Sequence, residues 1–480
     1  MSILISYEFI LTVIYILNFI VTLNLIFRER RNIQSTVAWV MLLNVVPAGG
    51  LLIYLIFGRR VSKKNMFKLK KEEDQILKSS LEETYKTIKV ENCIENKDMI
   101  YALTNLGDSS YTTNNKIELF VESQKHFNEL LDSLRKAKDY IHIQFYIFKD
   151  DNIGQEIINI LLEKASQGVE VRLLYDYVGS RSLSDKTINR LKKGGCKVGA
   201  FYPSFMKVVN FNLNYRNHRK IVVIDKEVGF IGGFNVGDEY LGKNKKFGDW
   251  RDTHIKITGA SVNDLNLRFM MDWRYTTRED IDFTKYLNKD IKHYDGNCGV
   301  QIVSSGPDLF EIDEIKFGYL KMINRAKKYI YIQTPYLILD ATLLDALKLA
   351  SMSGVDVRIM IPSKPDHPFV YWATYSYAGE LLKFGARIYT YDKGSFLHAK
   401  TIVIDDEVCS IGTSNMDIRS FELNFEVNAF IYSKDVSISQ RKIFEDDITK
   451  SKELTLDIYN NRSNKIRIKE SISRLISPIL

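Results

Sequence analysis

Asn-His-Arg-Lys-Ile-Val-Val-Ile-Asp, residues 217–225, is followed at 232–235 by Gly-Gly-Phe-Asn. The stretch returns later as His398-Ala399-Lys400-Thr401-Ile402-Val403-Ile404-Asp405, followed at 412–415 by Gly-Thr-Ser-Asn. Both copies read H-x-K-x4-D-x6-G-[G/T]-x-N. The quartets Ile-Val-Val-Ile and Thr-Ile-Val-Ile are β-branched and nearly continuous in apolar character, the mark of a strand buried on both faces. Two residues apart on such a strand, His and Lys project to one face. The glycine permits a tight turn that returns Asn to the strand end.

Outward from these strands the similarity continues. Residues 137–144 (AKDYIHIQ) match 326–333 (AKKYIYIQ), and 168–172 (GVEVR) match 354–358 (GVDVR). The separation of about 180–190 residues is far too long for a solenoid repeat and marks a duplicated domain. Each copy reads helix, strand, helix (Ile157–Ala165; Leu343–Ala350), strand, helix, strand, strand. Helices alternating with apolar strands predict an α/β fold with both sheet faces covered. The expectation is two duplicated α/β sandwich domains, residues 116–295 and 296–480, facing each other with pseudo-two-fold symmetry. A linker at 61–115 and a membrane anchor at 1–60 precede them.

The 480 residues are 45% apolar and 26% charged, a globular composition that excludes a mostly disordered chain. Lys and Arg number 67 against 59 Asp and Glu, a net charge of +8, which suits an anionic partner: nucleic acid or an acidic membrane surface. Residues 9–27 carry no charge, and at the helical rise they cover about 28 Å, nearly the hydrocarbon thickness. A second uncharged run, 36–57, is interrupted by Pro47-Ala48-Gly49-Gly50. Arg28, Arg30 and Arg31 follow the first run; Arg59, Arg60, Lys63 and Lys64 follow the second. Cys93, Cys196, Cys298 and Cys409 form no C-x-x-C pair and read as free thiols of a reducing compartment.

Histidine, lysine and asparagine on one surface suit a phosphodiester. Lys220, Lys400, Asn235 and Asn415 can hold non-bridging oxygens, and a neutral imidazole can attack phosphorus while a protonated one donates to the leaving oxygen. Two facing copies supply the opposed groups that in-line displacement requires. The candidate catalytic residues are therefore His218, Lys220, Asp225, His398, Lys400 and Asp405. No cluster has metal-ligand spacing and no G-x-x-x-x-G-K-[S/T] loop is present, so no metal or cofactor is expected. His126, His142, His254, His293 and His367 are scattered and are expected to be locally hydrogen-bonded.

These motifs resemble the signature of the phospholipase D superfamily, and more closely that of bacterial cardiolipin synthases. The resemblance rests on residues 217–225, 232–242 (GGFNVGDEYLG), 250–254 (WRDTH), 332–336 (IQTPY), 398–405 and 411–426 (IGTSNMDIRSFELNFE), and on 55–60 (LIFGRR) in the anchor. Gly-Thr at 412–413 departs mildly from the superfamily's Gly-Ser and keeps the hydroxyl. The resemblance implies metal-independent phosphatidyl transfer that makes cardiolipin and glycerol from two phosphatidylglycerols through a phosphatidyl-histidine. It makes His218 the nucleophile and His398 the proton carrier. It makes Glu426, eleven residues after Asn415, an orienting group for the histidine, with Asp252 its counterpart in the first copy. Asp225 and Asp405 then take a more structural part. Phosphatidylglycerol and anionic membrane lipids are the implied partners, not nucleic acid, and the implied location is the bacterial cell membrane with the catalytic domains cytoplasmic. Hydrolytic phospholipase D and other phosphatidyl-alcohol transfer use the same machinery, and so would a nuclease, which the apolar anchors disfavour.

Two further segments stand out. The first copy carries about ten extra residues before His218, including Phe201, Tyr202, Phe205, Met206 and Phe211, which would suit a membrane-dipping lip. Ile468, Ile472, Leu475 and Ile476 share one face of a basic C-terminal helix. Basic flanks favour the cytoplasmic side. If both clusters obey, the second run is a re-entrant hairpin and a cysteine at position 33 is labelled from the cytoplasm. External labelling at 33 means two spans, and external labelling of the catalytic repeats overturns both arrangements.

Overall fold

The computed structural model describes residues 7–29, 33–58, 95–107, 109–203, 214–287, 298–307 and 313–479. The apolar insertion falls largely outside the described residues. Its described start, Phe201 and Tyr202, is packed in the core rather than exposed.

The duplication folds as two sheets of one topology. In the first copy the strands are β1 (Asn115–Phe120), β2 (Tyr140–Phe145), β3 (Glu170–Asp176), β4 (Lys197–Phe201), β5 (Ile221–Ile224), β6 (Val228–Gly232) and β7 (His254–Gly259). In the second they are β8 (Gly299–Ser305), β9 (Tyr329–Gln333), β10 (Asp356–Ile361), β11 (Arg387–Thr390), β12 (Thr401–Ile404), β13 (Val408–Gly412) and β14 (Asn424–Tyr432). The orders are β1-β7-β6-β5-β2-β3-β4 and β8-β14-β13-β12-β9-β10-β11. Parallel pairs link β2, β3 and β4 in one sheet and β9, β10 and β11 in the other; the remaining pairs are antiparallel. Even the register repeats: Ile141 faces Ile224 as Ile330 faces Ile404.

The continuous apolar strands are buried on both faces, as their composition predicts. Ile221 and Val223 of β5 point into a core shared by the two sheets, while Val222 and Ile224 point to the outer helices of the first copy. Val403 of β12 joins the same shared core, and Ile402 and Ile404 face the outer helices of the second copy. Helix Val262–Thr277 contributes Leu265, Phe269 and Trp273 to that middle layer. The helices expected at Ile157–Ala165 and Leu343–Ala350 are present as Asn152–Ser166 and Ala341–Met352.

The expected linker is structured in its described part. Helix Lys97–Gly107 buries Met99, Ile100 and Leu103 in the outer core of the second copy, and Tyr111–Thr112 extends that copy's sheet by pairing with β8. The segment thus crosses to the far repeat before the first repeat begins.

In the anchor, α1 (Tyr7–Phe27) is 21 residues long, about 30 Å and enough to cross the hydrocarbon layer. Phe9, Phe19 and Ile20 are more than half exposed along it. The second run is two helices, α2 (Ile33–Val45) and α3 (Pro47–Ile53), of 13 and 7 residues. Val46 leaves helical geometry at φ −128° and ψ 71°, and Pro47 starts the next helix where its missing N–H costs nothing. The bend is sharp: a Cβ on Gly50 would stand 2.4 Å from the Leu42 carbonyl oxygen. Asn18, the polar residue mid-way along α1, donates to the carbonyls of Leu43 at 2.7 Å and Pro47 at 3.1 Å, so it ties the long helix to the bend.

Buried arginines tie the repeats together. Arg219 donates to both Asp272 oxygens at 2.8 and 2.7 Å, and reaches the carbonyls of Glu426 at 3.0 Å and Ser305 at 3.1 Å in the second copy. Arg251 pairs with Asp447 of the second copy at 2.7 Å. Removing one member of a buried pair strands the other charge, so Arg219→Ala is expected to destabilise the repeats by about 3–5 kcal/mol. The measurement is the denaturant midpoint of the purified protein; an unchanged midpoint would show that the pair does not hold the fold.

Candidate active site

Each motif histidine is delivered by a short extended segment that pairs with the opposite repeat. Arg216–Asn217 runs parallel to Asn424–Phe425 at the start of β14, and the His218 N–H donates to the Phe425 carbonyl at 2.9 Å. Phe396–Leu397 runs parallel to Trp250–Arg251, and the His398 N–H donates to the Arg251 carbonyl at 2.8 Å. The next residue along each opposing segment is an acid. His218 Nδ1 therefore meets Glu426 at 2.9 and 3.0 Å, and His398 Nδ1 meets Asp252 at 2.6 Å. Asp252 and Glu426 are structural equivalents, but they are exchanged: each serves the histidine of the other repeat, not that of its own copy. Gly233 is required here because a Cβ would lie 1.9 Å from the Asp252 carboxylate.

The lysines stand behind the histidines. Lys220 Nζ donates to the His218 carbonyl at 2.7 Å, and Lys400 Nζ lies 2.8 Å from His398 Nδ1 and also reaches the His398 carbonyl. Both are buried, and neither is among the residues that line the cavity onto which the histidines open. Asn235 and Asn415 do line it. The Asn235 amide is fixed by the Ile147 N–H at 3.1 Å and Tyr240 OH at 3.1 Å, whereas buried Asn415 Oδ1 has no partner among the described residues.

Burial sets the electrostatics. It pulls Lys220 down to about 7 and Lys400 down to about 8, against the attraction of Glu426 and Asp252. Burial, aided by Lys400, pulls His398 down to about 4, and His218 is lowered by burial and by Lys220. Burial alone would raise both acids. Lys400 and His398 hold Asp252 below its ordinary value, and His218 and Lys220 do the same for Glu426. Burial thus disfavours the charged form of both imidazoles and both lysines, while the two carboxylates are held in their ionised form by the cations beside them.

The cavity has a volume of about 810 Å3. Its walls hold residues that the motif did not name: Tyr146, whose ring centroid is 4.9 Å from that of His218, and Trp250, 5.2 Å from His398. Arg216, Arg419, Asp366 and Asp417 also line it, and Arg419 lies close enough to Asp417 and Arg216 to feel both charges. Burial pushes Asp417 up to about 6 and lowers Arg419. Arg216 precedes His218 by two residues, so strand alternation could have flagged it; Arg419 carries no such signal.

The motif aspartates do not belong to this site. Asp225 follows β5 at its far end, about 23 Å of strand from His218. There it sits with Lys226 at positive φ, the two residues of a hairpin turn. Its carboxylate accepts the N–H groups of Lys138, Asp139 and Tyr140 at 2.7–2.9 Å. Asp405 does the same for Lys327, Lys328 and Tyr329. This geometry supports the more structural part for the pair, away from the histidines: Asp tolerates the left-handed turn and accepts from three donors.

The other histidines divide. His142 bonds Asn266 at 2.7 Å. His126 and His254 are buried with ring centroids 4.1 Å apart, and neither His126 nitrogen has a hydrogen-bond partner among the described residues, so here packing replaces the expected bonding. Burial pushes His126 down to about 3, which keeps it a neutral aromatic ring. His367 lines the cavity, and His293 lies outside the described residues. Cys196, Cys298 and Cys409 are free and buried.

The phosphatidylserine synthase of Haemophilus influenzae is similar in structure with a TM-score of 0.60 at 17% identity, over 80% of this chain and 100% of that one, so the two share the fold of phospholipase D-like enzymes. A family model described as cardiolipin synthase, PLD-like domain, matches residues 130–248 and 319–448, and a phospholipase D-nuclease N-terminal model matches 16–59. A cardiolipin synthase of Oceanobacillus iheyensis is 48% identical over 97% of this chain and 98% of its own length. The major cardiolipin synthase of Bacillus subtilis is 47% identical over 98% of each. The chain belongs to the cardiolipin synthase family of the phospholipase D superfamily.

If Asp225 is a turn cap, Asp225→Ala should lower stability by at least about 2 kcal/mol, the worth of a charged hydrogen bond. Transfer per folded molecule should stay within about threefold of wild type. Loss of turnover by orders of magnitude with an unchanged denaturant midpoint would return Asp225 to the chemistry.

Proposed function

We propose that the protein joins two phosphatidylglycerols into cardiolipin and glycerol, with His218 as nucleophile and His398 as proton carrier. The observation that carries this reading is the crossed pairing of both histidines with buried carboxylates on the wall of one cavity. With Nδ1 held by a carboxylate, each imidazole has Nε2 as its free nitrogen.

In the first step the Nε2 lone pair of His218 attacks phosphorus, and the P–O bond to the first glycerol breaks. His398, protonated at Nε2, gives its proton to the departing oxygen. Its resting value of about 4 reflects burial beside Lys400; a phosphodiester anion between the imidazoles opposes that cation and favours the protonated form. In the second step the glycerol hydroxyl of another phosphatidylglycerol gives its proton to His398 and attacks phosphorus. The P–N bond breaks and the electron pair returns to His218. Lys220, Lys400 and the amides of Asn235 and Asn415 offset the charge that gathers on the equatorial oxygens. Arg216 and Arg419 suit the phosphate of the acceptor lipid, which carries its own negative charge into the same cavity. Every charge the displacement needs is supplied by side chains, and the reading requires no cofactor.

The catalytic repeats face the cytoplasm in this reading, with α1 crossing the bilayer and the bent pair α2 and α3 re-entering from that side. The basic flanks support the orientation, and the 13- and 7-residue helices, each too short to cross alone, support the bend.

The exchange of carboxylates makes a prediction that a same-repeat pairing does not share. With a phosphatidyl donor whose leaving group needs no proton, Glu426→Gln should slow formation of the histidine adduct by roughly 10²–10⁴-fold, by analogy with loss of a triad carboxylate. Asp252→Asn should leave adduct formation fast and slow turnover with phosphatidylglycerol. Product analysis with phosphatidylglycerol vesicles reads the function itself: cardiolipin is expected, and phosphatidic acid alone would mean hydrolysis. Label trapped on His398 in place of His218 would reverse the two histidine roles.

A further inference from the structure

A second cavity, of about 570 Å3, lies between the anchor and the second repeat. Ile33, Val37 and Ala38 of α2 form one wall. Leu339, Leu344 and Tyr377 form the other, and Leu475, Ser477 and Pro478 close it at the chain's end. The lining is mostly apolar, with Glu380 and Arg474, paired at 2.8 Å, among its few charged groups. The partition between this cavity and the catalytic one is thin. Ser477 lines both, and Ile338 of the catalytic cavity is the chain neighbour of Leu339 in the second. Ser477 is held by the Arg474 carbonyl at 2.8 Å and by Tyr377 OH at 3.4 Å.

The outer wall of this cavity is the surface of α2, a helix of the apolar N-terminal segment. Ile33 is 80% exposed and Val37 49% exposed. The C-terminal helix that closes the cavity, α4 (Asn464–Ile476), has its amphipathic pattern turned outward: Glu470 and Ser473 are buried against the protein, while Ile468, Ile472 and Leu475 are about half exposed or more. In water that arrangement is unfavourable. Against the acyl region of a bilayer the three side chains are buried and the flanking Lys465, Arg467 and Lys469 meet anionic headgroups.

We infer that the cavity between α2 and the second repeat is an acyl-chain slot: one fatty chain of a glycerophospholipid lies in it while that lipid's phosphate stands in the adjoining cavity at the histidines. This rests on the phosphatidyl-transfer reading and adds the path by which a lipid leaves the bilayer without exposing its chains to water. The chain enters along α2, passes the C-terminal turn and places the headgroup beyond Ser477. Each methylene removed from water adds to binding, so the slot gives long-chain lipids an affinity that short-chain ones lack.

Two substitutions narrow the slot from exposed positions on opposite walls, Val37→Trp and Ala341→Trp. Each is assayed for kcat/KM with dioleoyl phosphatidylglycerol in vesicles and with monomeric dihexanoyl phosphatidylglycerol, whose chains are too short to fill the slot. The ratio of long-chain to short-chain kcat/KM is expected to fall tenfold or more in both. A second measurement uses wild type alone: phosphatidylglycerol carrying a diazirine at the end of one chain should crosslink to peptides from 33–45 and 474–478. An unchanged ratio, or crosslinks confined to α1, overturns the slot. If wild type forms no cardiolipin from either lipid, the proposed function fails, and the crosslinking pattern still decides the slot.

Discussion

Two short parallel pairings, Arg216–Asn217 with Asn424–Phe425 and Phe396–Leu397 with Trp250–Arg251, hold the molecule to its arrangement. Each is only two residues long, yet each fixes three things at once. It joins one repeat to the other through backbone hydrogen bonds. It sets where a histidine leaves the strand. It places the opposing acid one residue further on, at hydrogen-bond distance from that histidine. Neither repeat contains a complete histidine–carboxylate pair. The site exists only when both sheets have folded and docked, which makes the fold's pseudo-symmetry a chemical requirement.

That constraint explains why so much charge is buried where the sheets meet. Lys220, Lys400, Asp252 and Glu426 are each almost wholly removed from solvent. Any one of them alone in that position would be strongly unfavourable. Together they neutralise one another, and each carboxylate stays ionised because a lysine and a histidine adjoin it. Arg219 with Asp272, and Arg251 with Asp447, repeat the principle on either side of the centre. Both arginines come from the first repeat, and both reach the second. In the second copy Ala399 stands where Arg219 stands in the first. The electrostatic clamp is thus asymmetric although the sheets are not.

The duplication, the α/β class and the two His-Lys-Asn sets were legible because they are local: each lies within a strand and its turn. Asp252 was reachable through its likeness in role to Glu426. The exchange between repeats was not legible, because no spacing along one copy reveals a contact made across a symmetry axis. Asp225 and Asp405 were grouped with the catalytic residues by their place in a pattern. The residues around them carry the better signal, two apolar strands separated by a two-residue turn in which Asp is tolerated at positive φ. Helix Lys97–Gly107 reads as linker in the sequence because its polar and mixed surroundings hide a short apolar stripe, Met99, Ile100 and Leu103, that the second repeat's outer face completes. Arg419 was missed for a related reason: its partners in the cavity wall come from distant segments.

The C-terminal helix shows how an amphipathic pattern can be read correctly and still leave its direction open. Periodicity places Ile468, Ile472 and Leu475 on one face but does not say what covers it. In a soluble domain that face would turn inward. Here the inward face is made of Glu470 and Ser473, with Glu470 satisfied by Arg462 at 2.8 Å and Tyr459 at 3.0 Å. A helix that buries a carboxylate and exposes isoleucines suits an apolar surrounding better than water. The anchor supplies that condition, since α2 stands beside the same C-terminal turn across the second cavity. The fold therefore places the histidine cavity and the apolar cavity beside the anchor on two sides of one residue, Ser477. A reaction whose substrates bring their phosphates to a polar site while their chains remain in an apolar one needs that proximity.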